Sequence, residues 1–317
     1  MLGFRNLPAF GASEVFCCKM NLMQETYGNK RIRSVLIFTV KTILILAVLI
    51  TTVGFVEVNN ALHPPRIIPP GNTLRKFNIP YQSLDLITED GVRLSAWYTP
   101  PRKGVVILLA HGYGDNRPEW IHALLAKKGY GIISWDARAH GESDGEISTI
   151  GYLEVLDVKA ALDYVLPQPG VEHVGAWGGS MGGATLIRAA ATFPEIEALF
   201  IDSSFASLDD EFDFLVPYPI VNPLAKYIAQ IETGVNINEI NPLKDIALIS
   251  PRPVYIVHGT GDTVAPPDAG QKLYDAAGEP RFLWEAENVR HLMIYLDNPG
   301  RYQRRLIDFF DEWLLGK

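Results

Sequence analysis

The residues best placed to do chemistry are Gly178-Gly179-Ser180-Met181-Gly182-Gly183. A serine flanked by glycines at this spacing suits a sharp turn from a strand into a helix. Such a turn strains the serine backbone and lifts its hydroxyl above the sheet edge. Gly178 and Gly182 leave room for the flanking segments to approach closely. The following helix directs the positive end of its dipole at the hydroxyl, where negative charge would develop. The chemistry expected is nucleophilic attack by Ser180. The plainer reading is a glycine-rich loop that packs strand on helix.

A serine hydroxyl is a poor nucleophile until a base takes its proton. Seven histidines compete: His63, His111, His122, His140, His173, His258 and His291. His291 lies in a loop between the last strand and the last helix, and it alone is late enough for the chain order Ser…Asp…His. The acid should follow a strand between the two. Asp262, in His258-Gly259-Thr260-Gly261-Asp262, is the first candidate and Asp202 the second. Its role would be to orient the imidazole and stabilise its charged form. Developing oxyanion charge needs donors, and the Met181 N–H is one. The Tyr113 N–H, in the turn His111-Gly112-Tyr113-Gly114, is the candidate for the second. His111 itself reads as a brace for that turn. Asp136 and Arg138 read as residues that hold loops by charged hydrogen bonds. No metal-ligand spacing such as His-Glu-x-x-His occurs. The glycine run falls too late in the chain for a dinucleotide fingerprint, so no metal or cofactor is expected.

These residues need a sheet to hold them. Tyr81–Thr88 and Val92–Tyr98 alternate in polarity about Asp90-Gly91, a hairpin signal. Gly104–Ala110 is continuously apolar, as befits a strand covered on both faces. Further strands are expected at Gly131–Trp135, Val174–Trp177, Ala198–Ile201, Val254–Val257 and Phe282–Glu285. Between them fall helical stretches: Trp120–Lys128, Tyr152–Val165, Ala184–Thr192, Ala269–Ala277 and Gln303–Leu315. Strands alternating with helices predict an α/β fold, a mostly parallel sheet of about eight strands with helices on both faces. The rhythm breaks at 203–249, rich in aromatics and prolines, with one helix expected at Pro223–Ile231. That stretch reads as a short cap-like insertion over the strand ends, or as an ordinary long connection. Phe205, Phe212 and Tyr218 within it are candidates for lining a substrate pocket, and Asp209 and Asp210 read as solvated charges.

The chain has 317 residues, 48% hydrophobic and 20% charged, with net charge −8. A buried core is affordable, and nothing resembles the cationic footprint of a nucleic-acid binder. The two cysteines, Cys17 and Cys18, adjoin near the N-terminus, so no disulfide framework exists. They read as unmodified thiols, with acylation the alternative. Residues 34–56 are apolar except for Lys41 and a few hydroxyls, long enough for a transmembrane signal anchor. Lys30, Arg31 and Arg33 precede the segment and Glu57 follows it. The positive-inside rule then keeps the N-terminus cytoplasmic and the body extracytoplasmic. A cleaved, secretory signal and a buried soluble helix are the other readings. Residues 1–33 are expected to be a disordered tail, 57–80 a proline-rich linker, and 81–317 the catalytic domain.

The ordered set HGYGDN, DARAHGESDG, GGSMGG, HGTGDTVAP and a late His291 resembles the α/β-hydrolase superfamily from Tyr81 to Lys317. More narrowly, it resembles membrane-tethered Bem46-like and dienelactone-hydrolase-like members. The resemblance implies a Ser180–Asp262–His291 triad with an oxyanion hole at Tyr113 and Met181. It implies hydrolysis of a small-molecule or lipid-like carboxylic ester or thioester through an acyl-serine. A serine peptidase on the same fold and a catalytically silent binding protein are the competing classes. Serine at 180, where a haloalkane dehalogenase has aspartate, argues against dehalogenation, and the short insertion argues against a large lipase lid.

Overall fold

A computed structural model describes residues 12–317. The chain divides into two compact units, one ending at Val53 and one spanning Gly54–Lys317. The described part of the first is helix throughout, the greater part of α1 (Ala12–Leu62). The disordered tail expected at 1–33 is therefore corrected for residues 12–33, and the rest of that expectation lies outside the described residues. Residues 12–33 hold one glycine and no proline, so nothing in their backbone chemistry stops a helix. Within α1, Asn29–Leu62 is long and apolar enough to cross a membrane by length and composition. Cys17 is exposed; the Cys18 side chain lies outside the described residues.

In the second unit an eight-stranded sheet runs β1 (Gln82–Ile87), β2 (Arg93–Thr99), β4 (Gly131–Trp135), β3 (Val105–Ala110), β5 (His173–Gly179), β6 (Ala198–Asp202), β7 (Val254–Gly259), β8 (Arg281–Ala286). The β1–β2 and β2–β4 pairs are antiparallel and the remaining pairs parallel. The central strands β3, β4, β5, β6 and β7 are buried, all but the first residue of β5, because helices cover both faces. On one side Leu108, Ala176, Ile201 and Ile256 pack in one cluster with residues of α4 (Glu154–Val165), α5 (Met181–Thr192) and α9 (Ala269–Ala276). On the other, Ile107, Leu109, Phe200 and Val257 cluster with α3 (Glu119–Lys127) and α11 (Pro299–Leu315). Alternate residues of each strand serve opposite faces, the period-two pattern of a sheet. The parallel register sets Gly178 beside Ile201 and Gly179 beside Asp202, and Asp202 beside Val257.

The stretch expected as a linker is built into this unit. Residues 54–62, the last turns of α1, carry the buried Val58 and Leu62, which cluster with Ala225. A short helix, α2 (Asn72–Lys76), buries Leu74 against Trp97 and Ala123, and Glu119 accepts hydrogen bonds from the Gly71 and Thr73 N–H groups at 2.6 and 2.7 Å. The prolines stiffen the path between these docked points; they do not make it a free spacer.

Between β6 and β7 lie two helices, α6 (Leu208–Leu215) and α7 (Val221–Thr233). Ser207 caps α6 by accepting from the Asp210 N–H at 3.1 Å. Lys226 of α7 reaches Asp209 and Asp213 of α6, which ties the two together. A shorter helix, α8 (Pro242–Asp245), leads back to the sheet. The helix α6 was not foreseen, because its first turn reads as a run of acids. Its apolar positions Leu208, Phe212 and Leu215 nonetheless recur at helical spacing. A further short helix, α10 (Ile294–Asp297), precedes α11.

Candidate active site

Ser180 joins β5 to α5 with φ 52° and ψ −122°, a left-handed conformation costly for a residue with a side chain. The neighbouring glycines make that turn feasible. A Cβ on Gly178 would lie 2.6 Å from the Gly182 carbonyl oxygen, and one on Gly182 would overlap the Ala110 carbonyl. The Ser180 N–H donates to the Asp202 carbonyl at 2.8 Å, so the elbow is fastened to the next strand.

Ser180 Oγ lies 2.9 Å from His291 Nε2, and His291 Nδ1 lies 2.7 Å from Asp262 Oδ2. The carboxylate can only accept, so Nδ1 carries the hydrogen and Nε2 is left free to accept from the serine hydroxyl. The Asp262 side chain is fully buried; its Oδ1 accepts from the Val264 and Ala265 N–H groups at 2.8 and 3.0 Å. The loops bearing the two residues are cross-tied: Gly261 N–H donates to Val289 O, and Asn288 N–H to Thr260 Oγ1.

Asp202, the second candidate acid, is engaged elsewhere. It accepts from the Tyr302 hydroxyl at 2.8 Å and the Ser203 hydroxyl at 2.9 Å. Burial pushes its carboxyl up to about 6 against the pull of those two donors. Ser203 Oγ also accepts from the Leu292 N–H at 3.2 Å, so this network holds the backbone next to His291. His258 faces Asp262 at 3.8 Å but donates from Nε2 to Pro266 O, and burial lowers its pKa. His111 braces the turn before Tyr113, its Nε2 accepting from the Ala137 N–H at 2.9 Å. Asp136 accepts from the Arg117 and Glu142 N–H groups, and Arg138 reaches Asp157 and Asp90. These charges hold loops and do not face the serine.

A Cβ on Gly112 would stand 3.2 Å from Ser180 Cβ, so the turn His111–Gly114 borders Ser180. The Tyr113 N–H has no hydrogen-bond partner among the described residues. Met181 opens α5, where first-turn N–H groups lack intrahelical acceptors. Two free donors thus border the hydroxyl.

A cavity of about 320 Å³ opens beside Ser180. Phe205 and Phe212 line it. Tyr218 does not: it is 62% exposed, in the proline-flanked turn that follows α6. The remaining wall is mostly aliphatic, from α6, α7, Ile150 and Val264, and Glu57, Val58 and Ala61 at the end of α1 close one side.

Residues 105–220 match the family model described as the alpha/beta hydrolase fold. The solved Pyrococcus furiosus esterase Pf2001 superposes with a TM-score of 0.67 at 25% identity, covering 80% of this chain and 99% of that one. The chain has the α/β-hydrolase fold. Among curated proteins, the chain is 27% identical to YfhR of Escherichia coli strain K12, itself uncharacterised, over 72% of this chain and 80% of that one. It is 26% identical to the alpha/beta hydrolase domain-containing protein WAV2 of Arabidopsis thaliana, over 76% and 82%.

Several residues that line the cavity were not expected from the sequence. Ile150 sits at φ 53° in a loop pinned by Glu154, whose carboxylate accepts from the Thr149 and Gly151 N–H groups. Leu208, Glu211, Phe212 and Leu215 share one face of α6 toward the cavity. Glu57, Val58 and Ala61 belong to a segment whose composition marks it only as the end of an apolar helix.

Proposed function

We propose that this hydrolase cleaves a carboxylic ester or thioester through an acyl-serine, with Ser180, His291 and Asp262 as its triad. The observation that carries the reading is the unbroken hydrogen-bond line from Ser180 Oγ through His291 to a buried carboxylate, at the edge of an apolar cavity. Ser180 Oγ attacks the substrate carbonyl carbon as its proton passes to His291 Nε2. The carbonyl oxygen becomes an oxyanion and accepts from the Met181 and Tyr113 N–H groups. Asp262 stabilises the imidazolium, which then protonates the departing alcohol or thiol. Water, deprotonated by His291, attacks the acyl-serine, and collapse of the second oxyanion releases the acid and restores Ser180.

The cavity stands at the low end of the range for small-molecule pockets, about 300–1,000 Å³, which favours a modest acyl chain over a polypeptide. The esterase activity named for Pf2001 supports the same class. Kinetics on matched p-nitrophenyl esters, thioesters and anilides, with Ser180→Ala as control, test the reading. Ester or thioester turnover that vanishes in Ser180→Ala is expected. Turnover that survives in Ser180→Ala, or runs faster on the anilide, would reject it.

We also infer a retained membrane anchor through residues 34–56, N-terminus cytoplasmic and hydrolase unit outside. The apolar length of Asn29–Leu62 and the basic residues Lys30, Arg31 and Arg33 ahead of it support this. Val58 and Leu62 are core residues, so removal of the whole helix would strip a wall from the cavity. Carbonate extraction and protease protection of the expressed chain check both anchorage and orientation.

A further inference from the structure

Helix α6 begins with four acids in six residues, Asp209, Asp210, Glu211 and Asp213. Three have lysine partners: Lys226 meets Asp209 and Asp213, and Lys272 meets Asp210. Glu211 is turned the other way. It is 8% exposed and lines the cavity beside Ser180, on the same face as Leu208, Phe212 and Leu215. Its Oε2 is fully buried with no hydrogen-bond partner, and no described group donates to either carboxyl oxygen. Buried polar groups are rarely left unmatched, so an orphan carboxyl in a substrate cavity points to a partner that arrives with the substrate.

The surroundings select the partner's chemistry. Burial first, and then the Asp262 charge, push the Glu211 carboxyl up to about 8, so near neutrality it keeps its proton. A neutral carboxyl offers one donor and one free acceptor. A hydroxyl matches both at once, whereas an ether or ketone oxygen uses only the donor. An ammonium needs the ionised form, which the apolar walls oppose.

We propose that Glu211 recognises a hydroxyl on the substrate's acyl chain, so that the site takes hydroxyacyl esters in preference to plain alkanoyl esters. This rests on the serine-hydrolase reading above. Glu211 is then a specificity-determining residue, and it takes no part in proton transfer at Ser180.

The test compares kcat/KM for p-nitrophenyl octanoate with that for isomers bearing one hydroxyl at successive carbons, using the full chain in detergent micelles. Fluorophosphonate labelling of Ser180 is measured in parallel. The wild type should favour its best hydroxy isomer by about tenfold, the scale of one well-made hydrogen bond. Glu211→Gln, whose amide also donates and accepts, should keep most of that ratio. In Glu211→Leu the ratio should fall to one or below. A wild-type ratio near one for every isomer overturns the proposal, as does an unchanged ratio in folded Glu211→Leu. Preference for an ammonium-bearing ester also overturns it. The wild-type comparison stands alone if Glu211→Leu does not fold. Labelled enzyme with no hydroxyl preference sinks only this inference; absent labelling and absent turnover sink the hydrolase reading as well.

Discussion

Replacing Glu211 by glutamine should stabilise the protein at neutral and alkaline pH and leave it little changed in acid. The carboxyl sits at about 8 in the folded chain against an ordinary 4.5. Between those values the folded state holds a proton that the unfolded state has released. Unfolding free energy therefore falls as pH rises through that interval, by about 1.4 kcal/mol per pH unit for one group. The loss begins above 4.5, reaches about 3 kcal/mol at pH 7 and levels near 5 kcal/mol beyond pH 8. Glutamine has nearly the same shape and no proton to lose, so Glu211→Gln removes the slope. For a unit of this size about 3 kcal/mol corresponds to roughly 6–12 °C in Tm. Thermal unfolding of both proteins, followed by near-ultraviolet circular dichroism from pH 5 to pH 9, measures the difference. Asp157 and Asp202, held at about 7 and about 6, also titrate in this window, but they do so in both proteins and cancel. The Tm gap should widen from near zero at pH 5 to its full size by pH 8. Parallel curves would mean that Glu211 titrates as an ordinary solvated acid and contributes no such slope.

Three further outcomes follow from the geometry. Gly178→Ala should lower Tm, because its Cβ would stand 2.6 Å from the Gly182 carbonyl oxygen, and overpacking of this kind costs about 1–3 kcal/mol; thermal unfolding checks it. Asp262→Asn should reduce kcat on an activated ester by about 10³–10⁴, since an amide at this position favours the wrong imidazole tautomer; steady-state kinetics at saturating substrate measures it. A chain that begins at His63 should be less stable than one that begins at Gly54, and should show a higher KM for longer acyl esters, because Val58 and Leu62 are core and Val58 and Ala61 wall the cavity. Equal Tm and equal KM for the two chains would contradict the placement of residues 54–62 in the unit Gly54–Lys317.

Much of the fold was legible because its strands are buried on both faces. Gly104–Ala110 and Gly131–Trp135 announce themselves as apolar runs, and β3 and β4 fall within one residue of them. The elbow was legible for a steric reason: only glycine fits where Gly178 and Gly182 meet the backbone of their neighbours. The order Ser180, Asp262, His291 follows from which strand ends carry the loops, and those three side chains do meet. What stayed hidden depended on side-chain direction. Glu211 lies in an acidic run that reads as solvated, and only the i, i+3, i+4, i+7 pattern of Leu208, Glu211, Phe212 and Leu215 could have revealed an inward face. Prolines at 64, 65, 69 and 70 masked the docking of Leu74, a single buried side chain in a short helix. The helix from Ala12 onward carries no apolar stripe, so periodicity gave no signal for it.

Fluorophosphonate labelling of the full chain in micelles, beside Ser180→Ala and His291→Ala, tests whether Ser180 is an activated nucleophile served by His291. The wild type should label stoichiometrically, Ser180→Ala not at all, and His291→Ala at a rate lowered by about 10³ or more. Labelling that persists in Ser180→Ala, or proceeds undiminished in His291→Ala, would contradict that reading.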